Sequence, residues 1–263
     1  MKNIKEKVIL ITGASSGIGR QLALDLAEKG ARLILVSRTE DNLLLLKEQI
    51  VSSGGYPPAV WPMDVGDGTR IDHLLPRLLE EMPAIDILIN NAGFGKFDHF
   101  VDADMKEIEA MFDVNVIGLM RFCSHVLPSM VKARSGLIIN VASQAGKIAT
   151  PKSAAYSATK HAVLGFSNSL RLEMKPHGIN VMTVNPGPIK TNFFEVADSS
   201  GTYAKNVEKM MLSPEKVLRE IISAIEKGKR EVNLPAWMNA GAKVYHAAPG
   251  LIEKVGGRFF NQK

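Results

Sequence analysis

One cysteine stands in 263 residues, so no disulfide can close within the chain. That scarcity fits a reducing compartment, and a cytoplasmic location is the expectation. Cys123 lies in an apolar helical stretch and reads as a small core residue rather than a nucleophile. The six histidines form no pair at metal-ligand spacing, so no metal site is expected. No apolar run approaches the eighteen or so residues of a membrane span. Leu43 to Leu46 is only four long, lies between Asp41-Asn42 and Lys47-Glu48, and reads as helix core. The first residues are charged (Lys2, Lys5, Glu6, Lys7), and the apolar run after them is too short for a signal peptide. Charge of one sign is not concentrated either. The net charge is +5, yet Lys and Arg are dispersed and no nucleic-acid motif is visible. The excess favours anionic ligands, and no nucleic-acid partner is expected. Repeats, low-complexity linkers and composition breaks are also missing. The reading is one domain over residues 1–234, followed by a C-terminal extension over 235–263.

What is present begins at once. Lys7-Val8-Ile9-Leu10-Ile11 is an apolar run long enough for one buried strand, and Thr12-Gly13-Ala14-Ser15-Ser16-Gly17-Ile18-Gly19 follows it. Ile18, Leu22 and Leu26 then recur at i, i+4 and i+8, the apolar stripe of a helix that Gly30 stops. Strand, glycine loop and helix in that order suit a pyrophosphate. Gly13 allows the sharp turn, Gly17 the close approach of a ligand, and Gly19 tight packing of helix on strand. The helix start points free N–H groups and a positive dipole end at the loop. The bland alternative is a glycine-rich turn that binds nothing.

Strands and helices alternate along the chain, which predicts an α/β fold of the Rossmann type: a doubly wound, mainly parallel sheet of about seven strands with helices on both faces. Strands are expected at 32–37, 59–61, 85–89, 137–141, 179–184 and 231–234. Helices are expected at 41–51, at 67–81 with a kink at Pro76, in one long region over 104–133 bent near Pro128, and at 153–175 and 214–228. Residues 191–212 show no clear period and read as a long loop or lid. Gly13, Arg38, Asp64, Asn90, Ser143 and Pro186 then all fall at carboxyl ends of strands, the rim where open α/β sheets bind ligands.

The second strand closes on Ser37-Arg38-Thr39. An acidic residue at Ser37 would hold the adenosine ribose of NAD and repel a 2′-phosphate; none is there, and Arg38 offers a planar fork suited to phosphate. The expected cofactor is NADP(H). Tyr156-Ser157-Ala158-Thr159-Lys160 puts a phenol and an ammonium four residues apart on one helix face. A tyrosine can donate a proton unaided, but as a base at pH 7 it must first ionise, at roughly 4 kcal/mol. A neighbouring Lys⁺ lowers that cost.

With Ser143 thirteen residues upstream of Tyr156, Asn115 in a helix after the fourth strand, Asn90-Asn91-Ala92-Gly93 closing that strand, Pro186-Gly187 closing the sixth and Thr191 beyond, the chain resembles the short-chain dehydrogenase/reductase family in its compact one-domain form, from Thr12 to Thr191. The resemblance implies a hydride-transferring oxidoreductase. Tyr156 would be the proton donor, Ser143 would hydrogen-bond the same carbonyl oxygen, Lys160 would bind the nicotinamide ribose and lower the Tyr156 pKa, and Asn115 would hold a relay water. It implies cofactor contacts from Thr12, Gly13, Ser15, Ser16, Gly17, Ile18, Gly19, Ser37, Arg38, Asp64, Val65, Asn91, Ala92, Gly93, Tyr156, Lys160, Pro186, Gly187, Ile189 and Thr191. It also implies a homodimer or homotetramer built on the helices at 104–133 and 153–175. The second of these carries the small residues Ala155, Ala158, Ala162, Gly165 and Ser169, which equally could pack on the protein's own sheet.

The substrate is expected to be a small-molecule carbonyl or alcohol. The chain runs almost thirty residues past Leu234, which looks more like reductases of steroids, retinoids or other lipophilic carbonyls than like 3-oxoacyl-carrier-protein reductase, the named alternative. A non-catalytic dinucleotide sensor and a nucleotide-sugar epimerase or dehydratase are more distant readings. Such sensors usually lose the Tyr or the Lys, and such epimerases carry a different glycine motif. In the tail, Leu251, Val255 and Phe259 form an apolar stripe among basic residues. Packing over the substrate mouth or a partner subunit is favoured over contact with a membrane surface.

Overall fold

The apolar run after Lys7 forms the middle of a seven-stranded sheet. The structure, a computed structural model, describes residues 3–82, 84–148, 150–198, 201–250, 252 and 254. Strand β1 (Val8–Thr12) is buried at every position, as a strand covered on both faces must be. With β2 (Arg32–Ser37), β3 (Ala59–Pro62), β4 (Ile87–Asn90), β5 (Gly136–Val141), β6 (Ile179–Pro186) and β7 (Glu231–Leu234) it makes a sheet of order β3-β2-β1-β4-β5-β6-β7. Every pairing is parallel. The strand order reverses between β1 and β4, and a crevice opens there at the carboxyl ends.

Alternation along β1 feeds two cores. Ile9 and Ile11 pack with Leu22 and Leu26 of α1 (Gly17–Glu28), Leu43 and Leu46 of α2 (Glu40–Ser52), and Ile221 and Ile225 of α9 (Pro214–Lys227). Val8 and Leu10 pack on the other face with Leu75 of α3 (Gly68–Glu81), Phe122 and Val126 of α5 (Leu119–Ala133), and Val163 of α6 (Ala154–Met174). Cys123 is buried in this second core, accepts from Asn90 Nδ2 at 3.3 Å, and is pushed up to about 12 by burial, so it is no nucleophile.

Three expectations change. The long helical region divides into α4 (Met105–Phe112), a π-turn at Asp113–Gly118 and α5, with Pro128 inside the last. Although no span was expected, Met105–Ala133 is by length and composition apolar enough to cross a membrane. Phe122, Cys123 and Val126 explain that composition, because they face the core of this fold. Residues 191–212 are not a structureless lid. They hold α7 (Phe193–Ala197), α8 (Thr202–Val207) and a 3-10 turn at Glu208–Met210. Helices this short show no period in sequence. Past β7, α10 (Ala236–Ala247) opens the tail; the stripe residues Leu251, Val255 and Phe259 lie outside the described residues.

Candidate active site

At the carboxyl end of β1 the backbone is crowded. A Cβ on Gly13 would lie 2.8 Å from Ala92 Cα, and one on Gly19 2.3 Å from the Gly13 carbonyl oxygen, so both positions exclude any side chain. Thr12 and Asn91 latch the loop. The Thr12 hydroxyl accepts from the backbone N–H of Asn91 and of Ala92, each at 3.1 Å. The Asn91 amide donates to the carbonyls of Thr12 (3.0 Å) and Gly13 (3.2 Å). Ser16 caps α1 without a side-chain hydrogen bond, and no acidic residue sits in the first turn. That helix start keeps its positive end for an external anion.

Ser143 follows β5 and caps a 3-10 turn, Gln144–Gly146. Its Oγ accepts from Ala145 N–H at 3.0 Å and donates to the Pro186 carbonyl at 3.3 Å. Tyr156 and Lys160 share one face of α6, with the Lys160 ammonium 5.7 Å from the Tyr156 ring centre. Lys160 Nζ also donates to the Val141 carbonyl at 3.0 Å. Asn115 sits in the π-turn, fully enclosed. Its Oδ1 accepts from Phe94 N–H at 3.0 Å, and its Nδ2 donates to the Phe94 carbonyl at 2.8 Å and to Thr159 Oγ1 at 3.1 Å. The irregular turn is thus held by the side chain it presents inward, a common reason for π-bulges at working sites.

Burial governs the charges. It drives the Tyr156 phenol well above the usual tyrosine range; the Ser143 hydroxyl opposes this and Tyr203 adds to it. Burial lowers Lys160 to about 8. Four further rings cluster beside the phenol, two of them directly against it. Phe97 lies 5.6 Å and Phe193 5.8 Å from Tyr156, Tyr203 lies 5.2 Å from Phe97, and Phe194 lies 5.6 Å from Tyr203, between ring centres.

One cavity of about 1200 Å³ runs along this rim. Gly13, Ser15, Ser16, Gly17, Ile18, Ser37, Arg38, Asp64, Val65, Asn91, Ala92, Gly93, Ser143, Tyr156, Lys160, Pro186, Gly187, Ile189 and Thr191 all line it. Thr12, Gly19 and Asn115 do not; they stand behind the wall and shape it. Sequence reasoning missed Phe97, Phe193, Phe194 and Tyr203, which make the wall around Tyr156, while Trp237, Met238 and Tyr245 line the cavity from the tail expected to pack over the substrate mouth or a partner subunit. The adjacent pair Phe193-Phe194, just past Thr191, was the one visible signal.

A glycine loop at a helix start, continuous with a Ser–Tyr–Lys set at the carboxyl edge of a doubly wound sheet, defines a class: oxidoreductases that use a nicotinamide dinucleotide. Residues 7–200 match the family model described as short chain dehydrogenase. The dehydrogenase/reductase SDR family protein 7-like of Drosophila melanogaster is 37% identical over 237 residues, 86% of this chain and 72% of that one. A short-chain dehydrogenase from Sphingobium yanoikuyae, solved with NADPH, superposes with TM-score 0.81 at 27% identity over 94% of this chain and 95% of its own. A Burkholderia phymatum member solved with NAD shares the fold, with TM-score 0.86 at 23% identity over 95% and 96% of the two chains. The chain belongs to the short-chain dehydrogenase/reductase family. It is an oxidoreductase of that family, and the loop, the open helix start and the cavity fit a nicotinamide dinucleotide.

Proposed function

We propose that the protein is an NADP(H)-dependent reductase of lipophilic ketones or aldehydes, or the corresponding alcohol dehydrogenase in reverse. The observation that carries this is the single cavity in which Ser143, Tyr156 and Lys160 meet a wall of aromatic rings. When bound, the dinucleotide supplies or takes up the hydride. Its pyrophosphate would rest on Ser15, Ser16 and Ile18 at the start of α1, its 2′-phosphate by Arg38, and its nicotinamide end by Pro186, Gly187, Ile189 and Thr191. Lys160 would hold the adjoining ribose.

The chain's own chemistry follows from burial. A phenol held protonated by its surroundings donates to a carbonyl oxygen as negative charge develops there, and the Ser143 hydroxyl steadies the same oxygen. Toward an alcohol, Tyr156 must lose its proton, and the Lys160 charge beside it lowers that cost. Asn115 fixes the π-turn against Thr159, one residue before Lys160, and a water held there would relay protons. The rings of Phe97, Phe193, Phe194 and Tyr203 exclude solvent and favour an apolar substrate. The Sphingobium relative solved with NADPH supports the cofactor reading, as does the absence of a carboxylate at Ser37.

The test is a panel of carbonyl compounds followed by NADPH absorbance. Tyr156→Phe should bind NADPH as wild type does and lose turnover by about a thousandfold or more. Reduction at near wild-type rate by Tyr156→Phe would remove Tyr156 from the proton-donor role.

A further inference from the structure

The turn that carries Ser143 ends in a lysine that the chemistry above does not use. Lys147 closes the 3-10 turn, and its side chain is 17% exposed. An ammonium has three donors, and three acceptors meet it here. Glu231 Oε2 lies at 3.0 Å and Asn233 Oδ1 at 2.7 Å, both on β7. Asn239 Oδ1 lies at 3.1 Å, on α10. Asn233 Oδ1 also accepts from Asn185 Nδ2 at 2.9 Å, and Gln144 Nε2 donates to the Asn185 carbonyl at 2.9 Å. One cation therefore joins the serine turn, the ends of β6 and β7, and the tail helix.

The turn has no slack on its other side. A Cβ on Gly146 would lie 2.7 Å from the Lys160 carbonyl oxygen, so the turn presses directly on α6 at the active-site lysine. Helix α10, in contrast, buries little of its own surface. Ala242 is its one buried residue. Even so it brings Trp237, Met238 and Tyr245 to the cavity wall. A helix that buries so little apolar surface depends on its polar anchors, and a charge-assisted hydrogen bond is about twice as strong as a neutral one.

We propose that Lys147 is a positioning residue that sets substrate size. Through Asn239 it clamps α10 over the substrate end of the cavity, and through its own backbone it seats the Ser143 turn against α6. The part concerning substrate rests on the carbonyl-reductase reading; the clamp itself does not.

The test uses the full chain with Lys147→Met, Asn239→Leu and the conservative Lys147→Arg. By hydrogen exchange, amides of α10 should exchange about tenfold faster in Lys147→Met and Asn239→Leu, with β1 and α1 unchanged. NADPH binding should persist. In Asn239→Leu the KM for a bulky bicyclic ketone should rise about fivefold, while kcat and KM for a small ketone stay within about twofold. Lys147→Arg, which keeps charge and reach, should restore most of both effects. Unchanged α10 exchange in both variants overturns the clamp. An equal KM rise for both ketones overturns the role in substrate size. If Lys147→Met does not fold, Asn239→Leu decides alone, since it leaves the bonds to β7 in place. If wild type reduces no carbonyl of any size, the reductase reading and the substrate-size role fall together, and the exchange result stands separately for the clamp.

Discussion

Lys160 lies buried beside a buried phenol, and a charge in that place has a thermodynamic signature. Its folded pKa of about 8 lies below the 10.5 of an exposed lysine, so the unfolded chain binds more protons between those values. Without cofactor, stability should therefore rise with pH across that window, and below about pH 8 the protein carries the full cost of burying the charge. At roughly 1.4 kcal/mol per pH unit that cost is about 3 kcal/mol. Lys160→Met removes the charge together with its bond to Val141. Urea denaturation should show the stability difference between variant and wild type shifting by about 3 kcal/mol in favour of wild type from pH 7.5 to 10.5. A constant difference would mean that Lys160 titrates normally. Arg38 makes a separate prediction. It sits on the exposed rim of the cavity next to buried Ser37. Arg38→Ala should weaken NADPH by about tenfold or more, the worth of a charged hydrogen bond, and NADH far less. Ser37→Asp should move preference further toward NADH by repulsion. Equal losses in fluorescence titrations of both cofactors would take Arg38 out of the phosphate site.

Helices α7 and α8 are too short to persist alone, and their stability comes from what they cover. Phe193 and Phe194 of α7 and Tyr203 of α8 interlock with Phe97 and Tyr156. The backbone adds a link from Phe97 N–H to the Ala197 carbonyl at 2.8 Å, and the Asp198 carboxylate accepts from Ala204 N–H at 2.9 Å. Removing one ring should loosen both helices. Phe193→Ala should speed chymotrypsin cleavage within residues 193–212 and raise KM for carbonyls severalfold, with the melting temperature lowered by a few degrees. Cleavage and KM both at wild-type values would show that these helices are held by other contacts.

For the molecule as a whole, α6 has two faces. Val163, Ser167 and Leu170 are buried against the sheet, whereas Ala158, Gly165 and Ser169 are exposed and Ala155 and Ala162 half-buried. Ala155 and Ala162 pack against the protein's own core, whereas Ala158, Gly165 and Ser169 do not. These three leave an outward surface on which a second α6 can approach closely, as a two-fold interface requires. Exposed Leu172 extends the apolar part of that face. We propose a dimer or tetramer on this surface. Light scattering at micromolar protein should give at least twice the 28.6 kDa of one chain, and Gly165→Arg should reduce it to one. A monomer mass for wild type would reject the interface.

The sequence determined most of the sheet and the cofactor end of the site, because both depend on local chemistry. A glycine loop between β1 and α1, an apolar run for each strand, and Tyr156 and Lys160 one helical turn apart all follow from spacing along the chain. Nineteen of the twenty-two residues proposed for the site line one cavity because strands in a parallel sheet end on a common rim. Tertiary structure decided the rest. Phe97, Phe193 and Tyr203 are brought to Tyr156 from segments with no periodicity of their own. Asn115 owes its place to a π-turn that the hydrophobic pattern of 104–133 conceals. Nothing in the sequence around Lys147 marks it, because its acceptors come from β7 and α10. Contacts across some eighty or ninety residues leave no mark on local pattern, since the groups that satisfy a buried charge are selected by the fold and not by their neighbours in sequence.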